Sequence, residues 1–123
     1  MINRILTVLI FLMAALPAGA QQVYEFRSYE LTLLKPAEVL HQYMEQALIP
    51  ALNRQGITNI GAFEESGEAL PKKIYLLIAY PDLQSYGASL DALAADAEYQ
   101  KVAGPYLTAD PQTMPYKRIS TSL

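Results

Sequence analysis

Three residues able to do chemistry alternate near the start of the chain. Glu25, Arg27 and Tyr29 lie inside the stretch Val23-Tyr24-Glu25-Phe26-Arg27-Ser28-Tyr29-Glu30-Leu31. Side chains two residues apart share one side of an extended strand, so the acid, the guanidinium and the phenol project together while Tyr24, Phe26 and Ser28 take the other side. In an enclosed space the guanidinium would meet an anion or a polarised carbonyl. The phenol would donate a hydrogen bond or stack on an apolar ligand. The plainer role for Arg27 is an ion pair with Glu25 or another acid that holds the sheet in register, because buried charges are usually paired. Asn59 and Tyr75, on later strands, join these three as candidate cavity-lining residues.

Other reactive types are sparse. His41 is the single histidine, four residues before Glu45 on the flank of an apolar stripe, where a boundary role is the ordinary one. Glu64, Glu65 and Glu68 cluster without a coordinating pattern, so no metal site is expected. There is no glycine-rich phosphate loop and no nucleophile elbow, and one histidine leaves no triad. No cofactor is expected. The absence of cysteine excludes disulfides, thiolate zinc sites, cysteine nucleophiles and a lipid-modified N-terminal cysteine. Tyr24, Tyr75, Tyr80 and Tyr86, among nine tyrosines, are expected to serve packing.

The elements that position these residues follow from pattern. Asn3 and Arg4 precede an apolar run from Ile5 to Leu16, then Pro17 and the small-x-small sequence Ala18-Gly19-Ala20. This pattern predicts a secretory signal over 1–20, cleaved after Ala20; the run is well short of the ~20 apolar residues of a spanning helix. The mature part, 21–123, then carries no membrane span and works in the periplasm or outside the cell. Without Arg4 the 9 basic and 12 acidic residues become 8 and 12, a net charge of −4. With no basic run, nucleic acid is not a partner.

A strand from Val23 to about Leu33 is followed by a helix from about Pro36 to Arg54, with a kink or break near Ile49 where Pro50 removes an N–H. Strands follow over Ile57 to Glu65 and Lys72 to Tyr80, separated by a polar turn. Asp82 is the expected N-cap of a second helix whose buried stripe is Leu83, Tyr86, Leu90, Leu93 and Ala94. A further turn runs from Asp96 toward Val102; Gly104-Pro105 and Asp110-Pro111 read as loop, and Tyr116 to Leu123 as a last strand. The order βαββαβ is that of an α+β, ferredoxin-like fold: a four-stranded antiparallel sheet with two helices on one face. The helix-free face is expected to hold Glu25, Arg27 and Tyr29. A large apolar face left open marks an interface, so a homodimer through the sheet face is expected, closing a barrel around a central cavity.

Four stretches in this order resemble NIPSNAP-family domains: Tyr24-Glu25-Phe26-Arg27-Ser28-Tyr29, Ala47-Leu48-Ile49-Pro50-Ala51-Leu52, Ile57-Thr58-Asn59-Ile60-Gly61, and Ala95-Asp96-Ala97-Glu98-Tyr99-Gln100. The resemblance implies a dimeric α/β-barrel domain and carries no agreed catalytic residues. Some relatives of that barrel architecture use a helix histidine to ligate haem, the comparison that His41 invites. The chain most resembles the first half of exported bacterial proteins in which two such domains follow one another; here it stops at Leu123. The leading functional expectation is a binding module for a small molecule or a protein, acting as a dimer. The alternatives are a cofactor-independent oxygenase or isomerase on a small hydrophobic compound, and a structural interaction module. Whether the domain is an enzyme is left open by its residues.

Overall fold

The computed structural model describes residues 21–33, 37–110, 114 and 116–123. The signal-peptide expectation, Pro36 and Pro111 fall outside them. Four strands form one antiparallel sheet: β1 (Val23–Leu31), β2 (Ile60–Glu64), β3 (Lys73–Tyr80) and β4 (Tyr116–Ser122), in the order β2-β3-β1-β4. This is the expected ferredoxin-like topology, with β1 and β3 in the centre.

The first helix, α1, is continuous over 38–54 but changes its hydrogen bonding on the way. Glu38–Gln42 is α-helical, Tyr43–Leu48 is a π-helical turn, and Ile49–Arg54 is α-helical again. The Ile49 N–H reaches back five residues to the Met44 carbonyl. The kink or break expected near Ile49 is thus a change of register in the turn just before it. Its physical basis lies in the sequence. Buried pairs Tyr43/Met44, Ala47/Leu48 and Ala51/Leu52 recur every four residues. On a helix of ~3.6 residues per turn such a repeat drifts by about 40° each time. The wider turn takes up the drift and keeps all three pairs on the sheet.

The second helix, α2 (Leu83–Ala95), starts as expected: the Asp82 carboxylate accepts the Ser85 N–H at 2.7 Å. Its buried face differs from the expected stripe. Leu83 and Leu90 are 62% and 47% exposed, and Ala94 is exposed too, while Ser89 is buried between half-buried Tyr86 and Leu93. The Tyr86 ring meets Tyr80 of β3 edge-on at 5.2 Å, and this contact sets the rotation of the helix. Asp96 caps α3 (Ala97–Val102) through the Tyr99 N–H and pairs with Arg54 at the end of α1 at 2.8 Å. Gly104-Pro105, expected as loop, opens a short helix α4 (Gly104–Leu107), because proline is well tolerated in a first helical turn. Among the described residues no helix is long and apolar enough to cross a membrane.

The core lies between the sheet and the helices. Ile74, Leu76, Ile78 and Tyr80 of β3 face Leu40, Met44, Ala47, Leu48 and Leu52 of α1. Cross-strand register fixes what shares this face: Glu25 pairs with Ile78, Arg27 with Leu76 and Tyr29 with Ile74. The three polar residues of β1 therefore lie beneath the helices. The expectation that they occupy the helix-free face is wrong.

Candidate functional site

The polar residues of β1 form a closed network with a fourth partner. Arg27 donates through Nε and Nη2 to both oxygens of Glu25, at 2.9 to 3.2 Å. Its Nη1 donates to the Tyr29 hydroxyl at 3.0 Å, and Tyr80, at the far end of β3, donates to Glu25 Oε1 at 3.0 Å. The Glu25 side chain is 2% exposed and that of Arg27 15%. Burial alone would lower the guanidinium pKa, but Tyr29 and Glu25 outweigh it and raise it, so Arg27 stays charged. Burial, then the Glu25 carboxylate, pushes the Tyr80 phenol far above its usual range; burial raises Tyr29 as well. Both phenols stay protonated, Tyr80 donating to Glu25 and Tyr29 accepting from Arg27. The pairing of Arg27 with Glu25, the plainer role, is what the geometry shows. Tyr80, expected only to pack, is part of it.

The tyrosines continue the layer. Tyr29 meets Tyr116 edge-on, Tyr43 stacks on Tyr106 with centroids 3.7 Å apart, and the Tyr43 and Tyr99 hydroxyls share a hydrogen bond of 2.8 Å. Burial and the bond to Tyr99 push Tyr43 up strongly. These rings carry polar ends into a core and satisfy them among themselves.

The other two candidate lining residues lie elsewhere. Tyr75 is on the helix-free face, stacked on Phe26 at 5.3 Å and donating to Glu65. Asn59 is exposed just before β2, and its carbonyl accepts the Ala79 N–H. Glu25, Arg27 and Tyr29 therefore stay together, and Asn59 and Tyr75 fall on the opposite side of the sheet. That side is aromatic: Tyr24, Phe26 and Phe63 are exposed there beside Tyr75 and Leu77. Phe63 lies flat along β2 over Gly61, where an added Cβ would come within 2.8 Å of its ring. Glycine at 61 is what lets the ring lie down.

A third place is an open groove between α1 and the β2 edge, of about 450 Å³. Met44 and Ile49 of α1, Ala62 of β2 and Ile74 of β3 give it apolar walls. His41, Glu45 and Glu64 stand at its rim. Glu64 is engaged on both oxygens: Lys72 Nζ lies 3.1 Å from Oε1, and His41 Nε2 lies 3.9 Å from Oε2. Glu64 and Lys72 also border a neighbouring cavity of about 290 Å³ beneath Leu31, Leu33 and Leu70. Among the described residues no group of three or more ligating side chains is placed to hold a metal ion. Sequence reading considered His41 and Glu45 but not their meeting with β2. The signal available was the parity of Ile60, Ala62 and Glu64, which sends Glu64 to the helix side at a sheet edge.

Solved structures of similar fold include NIPSNAP proteins. A NIPSNAP-like domain protein from Burkholderia xenovorans is 20% identical, with a TM-score of 0.60, covering 82% of this chain and 81% of its own. A NIPSNAP family protein from Agrobacterium tumefaciens is 17% identical, with a TM-score of 0.63 and coverages of 84% and 83%. A protein from Bacteroides fragilis described as dimeric, of unknown function and of ferredoxin-like fold is 15% identical, with a TM-score of 0.54 and coverages of 82% and 92%. No curated protein matches. At these identities the likeness shows the fold. The family model of NIPSNAP matches residues 24–110, most of the chain, and the protein belongs to the NIPSNAP family.

Proposed function

We propose that this NIPSNAP domain is a homodimeric binding module that takes up a small, mostly apolar molecule in the groove between α1 and β2 of each protomer. The observation that carries the reading is the groove itself. About 450 Å³ is within the range of small-molecule sites, and apolar walls with a few convergent polar groups are their usual lining. The β1 network is a poor alternative, because both oxygens of Glu25 and the Arg27 guanidinium are already engaged within it.

The dimer rests on the aromatic helix-free face. Exposed Tyr24, Phe26 and Phe63 on one side of a sheet make the kind of apolar surface that a second copy covers. The dimeric description of the Bacteroides fragilis protein agrees with it. The central cavity between two such sheets would be lined by these rings rather than by Glu25 and Arg27. The signal-like pattern of residues 1–20 supports export of the module to the periplasm or outside the cell, after cleavage following Ala20.

Native mass spectrometry of the full chain recovered from its export compartment tests all three parts. The expected result is a chain beginning at Gln21, a two-copy mass, and a small organic adduct per protomer. A monomer at micromolar concentration overturns the dimer. A dimer without adduct, unperturbed at Met44, Ile49 and Ala62 by a fragment library in an NMR titration, overturns the binding module. A chain retaining Met1 overturns export.

A further inference from the structure

The rim of the groove carries one carboxylate that no described residue neutralises. Glu64 is held by Lys72 at 3.1 Å and faced by His41 at 3.9 Å. Glu45, one helical turn after His41, borders the same groove and makes no hydrogen bond or ion pair among the described residues. It stands at the edge of walls made by Met44, Ile49 and Ile74. A free anion beside an apolar pocket is the complement of a molecule with an apolar body and one positive end. An anionic ligand would be repelled there, and a neutral one would gain only the walls. A bare metal ion lacks the necessary set of ligating side chains among the described residues.

We infer that the ligand class of this groove is a small amphiphilic amine, its ammonium group at Glu45 and its hydrocarbon part against Met44, Ile49, Ala62 and Ile74. This rests on the groove being a ligand site, the reading given above. Glu64 keeps Lys72 occupied, so that the lysine does not neutralise Glu45.

Three probes of matched size separate the possibilities: 2-phenylethylamine, 2-phenylethanol and 3-phenylpropionate, titrated into the full chain and followed by amide shifts around Met44, Ala62 and Ile74. The amine is expected to bind more tightly than the alcohol by ~3- to 5-fold at low salt, the size of one exposed charge pair, with the carboxylate weakest. Raising ionic strength should shrink that preference and leave alcohol binding unchanged. Glu45→Gln, an exposed substitution with little bearing on folding, should erase it. If alcohol and amine bind equally, or the carboxylate binds best, the amine assignment is overturned while the groove stands. If no probe moves these amides, the groove reading falls and the assignment with it. A preference that survives Glu45→Gln also overturns the assignment, since Glu45 is then not what reads the charge.

Discussion

The two faces of the sheet are nearly equal in aromatic content and opposite in what they do with polarity. On the helix side, Tyr29, Tyr80, Glu25 and Arg27 are buried, and their polar atoms point at one another. On the other side, Tyr24, Phe26 and Phe63 expose their rings, and Tyr75 turns its hydroxyl out to Glu65. The covered face thus holds a buried ion pair, while the open face exposes aromatic rings beside a polar end made by Glu30, Lys73 and Arg118. Whether a side chain can be buried is decided by the partner it meets, so a guanidinium and a carboxylate two residues apart on a strand can enter a core together. An aromatic ring without a layer above it stays at the surface until another chain supplies one.

That contrast can be broken at the network first. Arg27→Met leaves the Glu25 carboxylate buried without its cation, and a loss of about 3–5 kcal/mol in urea unfolding is expected. The double change Glu25→Leu with Arg27→Met should recover most of it. If the single change costs less than about 1 kcal/mol, the pair is not the closed unit described. Leu76→Ala, on the same face and fully buried, should cost about 2–5 kcal/mol by loss of apolar contact and a remaining void. Phe63→Asp on the open face should cost the protomer less than either, yet shift the chain to monomer in sedimentation velocity. If it unfolds the chain, the face is core; if the dimer persists, the interface lies elsewhere.

The smallest expected effect is at a helix start. Its bond to the Tyr99 N–H, then Arg54, holds the Asp96 carboxyl below its ordinary value. A carboxylate lowered in the folded state contributes stability that is complete above its unfolded pKa, ~3.9. That contribution fades as pH falls through the lower folded value. Asp96→Asn should therefore lower stability slightly at neutral pH, where the charged cap contributes fully, and flatten the acid side of the profile below about pH 4. An unchanged acid limb would remove Asp96 from the acid-sensitive set.

Much of this was legible in the chain. Asp82, the continuous apolar run of β3 and the strand-helix order identified the topology, because each depends on neighbours in sequence. The side assignment of β1 was not, since both parities carry aromatics: Tyr24 and Phe26 on one, Tyr29 on the other. Only pairing with Ile74, Leu76 and Ile78 decides between them, and that is a fact of register across strands. The face of α2 failed for a related reason. Leucine outranks serine in hydrophobicity, yet the ring contact of Tyr86 with Tyr80 rotates Ser89 inward and Leu90 out. The groove needed three elements to be in place before His41 and Glu64 could be seen as neighbours.

The π-helical turn over Tyr43–Leu48 makes α1 a helix with one residue more than its path along the sheet requires. Its two ends are in phase with the core because the surplus is absorbed locally. Chain length, elsewhere in a packed helix the least forgiving variable, is here adjustable. Removing one residue between 43 and 48 would let the turn relax to ordinary α-helix while Leu40 and Leu52 kept their facing. The same removal in α2 would swing Tyr86 and Leu93 out of alignment. The wall of the groove is thus built on a stretch of helix where insertion and deletion can reshape a surface without unseating the core behind it.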